Sequence, residues 1–160
     1  MTLVGFDFDR VLFKTDNFKQ YLDHELPGFL ESYPEGLYDV SKHAEKMEID
    51  VEEVYRALDR AEDFVYDDIG LVQELEGFDA IIVSRGDYRF QRRKIEQSEV
   101  LEHFEGMEIV SDEDKDSVGI DFLVDDRAEE VQRVDVPGMV FDREKHSMQD
   151  AINRIREEFS

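Results

Sequence analysis

The 160-residue chain has no cysteine and no tryptophan, and only three prolines and nine glycines. Without cysteine there is no disulfide framework, no thiol nucleophile and no thiolate metal site. The histidines, His24, His43, His103 and His146, are scattered and form no HxxxH pair, so a bound metal would need oxygen ligands. The chain also lacks any apolar run of about 18 residues, and its N-terminus lacks a basic segment followed by an apolar one. Neither a membrane span nor a signal peptide is expected, which places the protein in the cytoplasm. Positive charge is scarce too: 19 Lys and Arg, only seven of them Lys, face 42 Asp and Glu, for a net charge of −23. Such a chain cannot hold DNA, RNA or an anionic membrane by bulk electrostatics, so any phosphate partner must be handled locally.

What is present suffices for a core. Hydrophobic residues make up 41% of the chain, 12 of them Phe, and the length is that of an ordinary domain. The acidic residues are spread along the chain rather than gathered in a tail, which reads as a solvated surface. This composition resembles that of proteins from salt-accumulating halophilic archaea, where high ionic strength screens self-repulsion.

Short apolar runs recur at Leu3–Phe6, Ala80–Val83, Met107–Val110, Phe122–Val124 and Met139–Phe141. Continuous rather than alternating apolarity predicts strands buried on both faces, hence a parallel sheet, and helical spacing between the runs predicts an α/β fold. One helix is predicted over Tyr88–Gln97. A last helix carries Met148, Ala151, Ile152, Ile155 and Phe159 on one stripe. More than 60 residues separate the first two strands, too many for a loop. Within them Val51, Val54, Tyr55, Leu58, Ala61 and Val65 repeat at helical spacing behind Asp50 as N-cap, with Glu53 three residues on. A second helix runs through Phe18, Tyr21, Leu22, Leu26, Phe29 and Leu30, interrupted near Pro27-Gly28. The predicted organisation is therefore a Rossmann-like core from residues 1–14 and 79–160, with a helical cap over 15–78. The tract Asp112–Asp116 reads as a solvated charged turn.

Four strands end in residues able to do chemistry: Asp7 and Asp9, Ser84, Asp125 and Asp126, and Asp142. In an open parallel sheet those ends share one edge, where ligands bind, although Asp142 reads as a turn residue. Asp7 and Asp9 are two apart and point to one side while the chain stays extended. Carboxylates gathered in this way repel unless a cation joins them, and hard oxygen ligands suit Mg²⁺. Lys115, just ahead of the fourth strand, can return opposite charge to the cluster.

The segments Val4-Gly-Phe-Asp-Phe-Asp9, Ile81-Ile-Val-Ser84, Lys115 and Phe122-Leu-Val-Asp-Asp126 resemble the four ordered motifs of the haloacid dehalogenase superfamily, most of whose members are phosphatases. The resemblance implies that Asp7 is the nucleophile forming an aspartyl-phosphate and that Asp9 is general acid and then base. It also implies that Ser84 hydrogen-bonds a phosphoryl oxygen and that Lys115 stabilises charge on Asp7 and the phosphoryl group. Mg²⁺ would be held by Asp7, by Asp125 with Asp126 beside it, and by the backbone carbonyl of Asp9. The implied partner is a small phosphorylated metabolite. Because halide leaves without a proton, an acid at Asp9 favours phosphoester hydrolysis over dehalogenation. Arg10 departs from the pattern, which has Gly there; it and Arg85 could contact substrate, but each reads first as a surface arginine. A phosphoacceptor signalling domain uses similar residues in another strand order and has no such insertion. The stronger rival is an inactive version of the fold that binds a ligand or partner.

Overall fold

Apolar runs with no polar alternation do become strands covered on both faces. The computed structural model describes all 160 residues. Its strands are β1 (Thr2–Phe6), β2 (Phe78–Arg85), β3 (Met107–Val110), β4 (Phe122–Asp125) and β5 (Gly138–Val140). Every pairing is parallel, and the sheet order is β3-β2-β1-β4-β5. β4 is buried along its whole length. The cover over β1 comes so close that a Cβ on Gly5 would lie 2.9 Å from Ile120 Cδ1 and 3.0 Å from Val83 Cγ2, so any larger residue would push both aside. The last strand sits one residue earlier than its apolar run. Phe141 follows it, fully buried, with its N–H donating to the Asp125 carbonyl at 2.8 Å.

The two predicted flanking helices form as α4 (Tyr88–Ser98) and α6 (Met148–Glu158), with a short α5 (Ala128–Arg133) between β4 and β5. α6 begins on a reciprocal cap in which the Ser147 N–H donates to Asp150 Oδ2 at 2.8 Å and the Asp150 N–H to Ser147 Oγ at 3.3 Å. Met148, Ala151, Ile152 and Ile155 are fully buried on its inner stripe. Phe159 falls outside that stripe. It lies beyond the helix end, 39% exposed, with its ring against Phe78 and Phe122.

Between β1 and β2 lie α1 (Thr15–Glu25), α2 (Val40–Met47) and α3 (Val51–Ala57). α3 starts as its sequence predicts: Asp50 accepts the Glu52 N–H at 2.9 Å and Glu53 accepts the Asp50 N–H at 3.0 Å. It then tightens into a 3₁₀ turn over Leu58–Phe64 instead of running on as α-helix to Val65. α1 stops at Glu25 because Pro27 keeps Leu26 out of the helical region, at φ −125° and ψ 83°. α2 has only Val40, Ala44 and Met47 as apolar positions, and the sequence reading missed it. Buried His43 anchors it, meeting the Tyr38 hydroxyl at 2.7 Å and, through its other nitrogen, the Ser32 hydroxyl and the Phe29 carbonyl at 3.0 Å.

A single cluster of 30 buried apolar residues runs from Val4, Phe6 and Ile82 on the sheet to Phe18, Leu22, Phe29 and Leu58 in the insertion. The two parts therefore share one core, while five residues around Val83 and Ile120 form a smaller separate cluster. No helix is long and apolar enough to cross a membrane.

Candidate active site

From β1 the chain moves outward to β2 and β3 and then returns to β4 on the other side, which opens a crevice between the carboxyl ends of β1 and β4. Asp7 follows β1 directly, and its N–H continues the ladder to the Val124 carbonyl at 2.8 Å. Asp125 ends β4 and Asp126 follows it. Carboxylate oxygens of Asp7, Asp125 and Asp126 all lie within 4.8 Å of one another. Lys115 Nζ donates to Asp7 Oδ1 at 3.0 Å and to Asp125 Oδ2 at 2.7 Å, and the side chain is 2% exposed. The tract 112–116 is thus not a solvated turn throughout: residues 112–114 are exposed, but Lys115 turns inward.

Three carboxylates against one lysine leave an excess of buried negative charge. Burial and the proximity of Asp7 push the pair upward, Asp125 to about 7 and Asp126 to about 8. Lys115 is shifted up as well, since Asp7 and Asp125 outweigh the desolvation that opposes its charge. An oxygen-only donor set that must hold protons near neutrality fits a hard divalent cation such as Mg²⁺. A carboxylate pKa raised on folding contributes stability below the folded value that is lost as pH rises. The metal-free protein should therefore lose stability between about pH 4 and pH 8 through this pair, and Mg²⁺ should raise the melting temperature more at pH 8 than at pH 5. Equal Mg²⁺ shifts at the two pH values in a thermal melt would place the ion elsewhere.

Asp9 stands beside this cluster without joining it. Its Oδ1 accepts from Lys94 Nζ at 2.8 Å and from Thr15 Oγ1 at 3.0 Å, and its Oδ2 from Gln91 Nε2 at 3.0 Å. Burial opposes the charge on Asp9, but Lys94 and these hydrogen bonds prevail and hold its pKa below the usual range. Ser84 is fully buried within β2, where its Oγ meets Gln91 Nε2 at 2.6 Å. It thus lies behind Gln91, whose Nε2 also donates to Asp9, one side chain removed from that carboxylate. Lys94 and Gln91 escaped the sequence reading, although both interrupt the inward stripe of α4 beside Phe90 and Ile95, where a polar side chain needs a reason.

Arg10 adopts φ +65°, the left-handed region glycine enters freely. Its guanidinium pairs with Asp16 through Nε at 3.3 Å and Nη2 at 2.9 Å. Arg85 is committed to buried Glu130, with Nε at 2.7 Å from Oε2 and Nη2 at 2.9 Å from Oε1. Glu130 Oε2 in turn lies 3.7 Å from Lys115 Nζ, so Arg85 supports the carboxylate network. A cavity of about 570 Å³ opens over Asp7, Asp9, Lys115 and Asp126 and extends under Phe18, Leu22, Phe29 and Tyr33 of the insertion.

The sequence matches no protein-family model and no curated protein. Solved structures do match. A predicted phosphatase from Clostridium acetobutylicum aligns with TM-score 0.58 at 16% identity over 98% of both chains. The chain has the haloacid dehalogenase fold. The L-2-haloacid dehalogenase of Xanthobacter autotrophicus matches with TM-score 0.55 at 14% identity, over 82% of this chain and 72% of its own. The haloacid dehalogenase-type hydrolase YfnB of Bacillus subtilis, solved bound to magnesium, matches with TM-score 0.52 at 11% identity, over 86% of this chain and 85% of its own. In this haloacid dehalogenase fold, Asp7, Asp125 and Asp126 stand at the carboxyl edge of adjoining strands.

Proposed function

We propose that the protein is a Mg²⁺-dependent phosphomonoester hydrolase acting on a small phosphorylated metabolite through an aspartyl-phosphate. The observation that carries this reading is Asp7 on the cavity floor, held by buried Lys115 and adjoining two further carboxylates. Asp7 attacks phosphorus in line as the ester bond breaks, and Lys115 balances charge on Asp7 and on the phosphoryl group. Asp9, kept as carboxylate by Lys94, is suited to deprotonating the water that hydrolyses the aspartyl-phosphate. For the first step, an ester monoanion brings a proton that Asp9 can receive and pass to the leaving oxygen. Mg²⁺ held by Asp7, Asp125, Asp126 and the Asp9 carbonyl would add positive charge against the phosphoryl oxygens. Direct contact between Ser84 and phosphate requires Gln91 to swing aside.

Residues 15–78 serve in this reading as a cap that excludes water and selects the substrate over the core of 1–14 and 79–160. The acidic surface suits a salt-rich cytoplasm. Both a phosphatase and a dehalogenase share the fold, and Asp9 supports the phosphatase reading: displacement of halide needs no group to carry a proton to the leaving atom, whereas departure of an alkoxide does. The test is phosphate release from phenyl phosphate and a panel of phosphorylated metabolites in molar KCl, with and without Mg²⁺. Turnover that requires Mg²⁺ is expected. A folded, Mg²⁺-binding protein inert across the panel would instead be a catalytically silent member of the fold that binds a ligand or partner.

A further inference from the structure

The cavity concentrates positive charge that hydrolysis alone does not use. Six of the 19 Lys and Arg line it, against five of the 42 Asp and Glu, in a chain of net charge −23. Four of the six are committed at close range: Lys115 to Asp7 and Asp125, Lys94 to Asp9, Arg85 to Glu130 and Arg10 to Asp16. Arg127 reaches Glu129 more loosely at 3.7 Å. Lys19 has no carboxylate at ion-pair distance. Its ammonium lies over the Tyr33 ring, 4.4 Å from the centroid, on a helix face whose neighbours Phe18 and Leu22 are buried.

Burial and the nearby Arg10 lower the Lys19 pKa against the opposing pull of Asp9 and Asp16, so an ammonium with no carboxylate at close range is held at a half-buried wall. Tyr33, under the ammonium, stacks with Tyr38 at 5.1 Å between centroids and 17° between planes, a flat aromatic surface beside the cation. An ammonium without a close carboxylate, set on an aromatic wall of the cavity, is the complement of an anion carried on a ring or short chain.

We propose that Lys19 binds a second anionic group of the substrate, so the preferred phosphate ester carries a carboxylate or a second phosphate on its organic part. The proposal rests on the phosphatase reading for the other end of the substrate.

Calorimetric binding of three non-hydrolysable ligands tests it: benzylphosphonate, para-carboxybenzylphosphonate and para-xylylenediphosphonate, each with Mg²⁺ at one fixed ionic strength. At least one of the two doubly anionic ligands should bind about tenfold more tightly than benzylphosphonate, and the tighter of them identifies the group. In Lys19→Gln that ratio should fall to about one, while Lys19→Arg, which keeps the charge, retains it and controls for misfolding. Equal affinities, no binding of any of the three, or a preference that survives in Lys19→Gln would overturn the proposal. Phosphate release from phenyl phosphate, measured in parallel, reports on hydrolysis alone. Turnover without the anionic preference removes the Lys19 site and leaves the hydrolase; the preference without turnover does the reverse.

Discussion

Asp7→Asn should lower phosphate release from phenyl phosphate by at least about a thousandfold while leaving the protein folded. The carboxamide has the shape of the carboxylate but cannot form the aspartyl-phosphate. Nothing near it can take over: Asp125 is fully buried and tied to Lys115 at 2.7 Å, and Asp9 is held by Lys94, Thr15 and Gln91. Folding should survive because the substitution removes one of three crowded negative charges. Lys115 keeps Asp125 as a partner, with Glu130 at 3.7 Å. A loss of stability no greater than about 1 kcal/mol is therefore expected, by urea unfolding, alongside the loss of turnover. Groups that act as one unit are not additive, so Asp7→Asn combined with Asp9→Asn should be scarcely slower than Asp7→Asn alone. Residual turnover within tenfold of wild type, in a protein purified free of contaminating phosphatase, would remove Asp7 from the chemistry.

What could be read from the sequence followed from abrupt changes of polarity. An apolar run that stops at Asp reads as a buried strand delivering a carboxylate to an edge, and Asp7, Asp125 and Asp126 stand where that pattern puts them. Lys115 was placed by its position ahead of β4, although its charged neighbours pointed to solvent. Lys94 and Gln91 were missed because a helix is read by its apolar stripe, and polar residues on that stripe count as noise until a carboxylate is found opposite them. The partner, Asp9, lies 85 residues away in sequence, and no local period carries such a pairing. α2 was missed for a related reason: its anchor is buried His43, satisfied by Tyr38, Ser32 and Phe29, none of which the helix itself contains. Ser84 was placed at the right strand but not behind Gln91, because that depends on a side chain from the following helix.

Lys115→Met should be the most destabilising single substitution at this site, costing about 3–5 kcal/mol at pH 8 without metal. Methionine fills much of the same volume, so the cost is electrostatic rather than a cavity. Removing the ammonium leaves Asp7 and Asp125 facing each other, both almost entirely out of water, with Asp126 within 4.8 Å and Glu130 also losing a cationic neighbour. The size of the effect should depend on two variables that a packing defect would ignore. At pH 5 the Asp125–Asp126 pair, already shifted up to about 7 and about 8, holds its protons, so less charge is stranded and the difference from wild type should shrink. At pH 8, Mg²⁺ should recover part of the loss, since a cation bound by the same carboxylates supplies the missing positive charge. Urea unfolding of wild type and variant at both pH values, with and without Mg²⁺, gives these differences directly. A cost below about 1 kcal/mol, or one indifferent to both pH and Mg²⁺, would mean that Lys115 is not what balances the carboxylates. A cost that follows both would show the same charge excess governing folding and metal binding. The lysine would then be the minimum that lets three carboxylates share a buried edge, and the metal would complete the neutralisation the phosphoryl group needs.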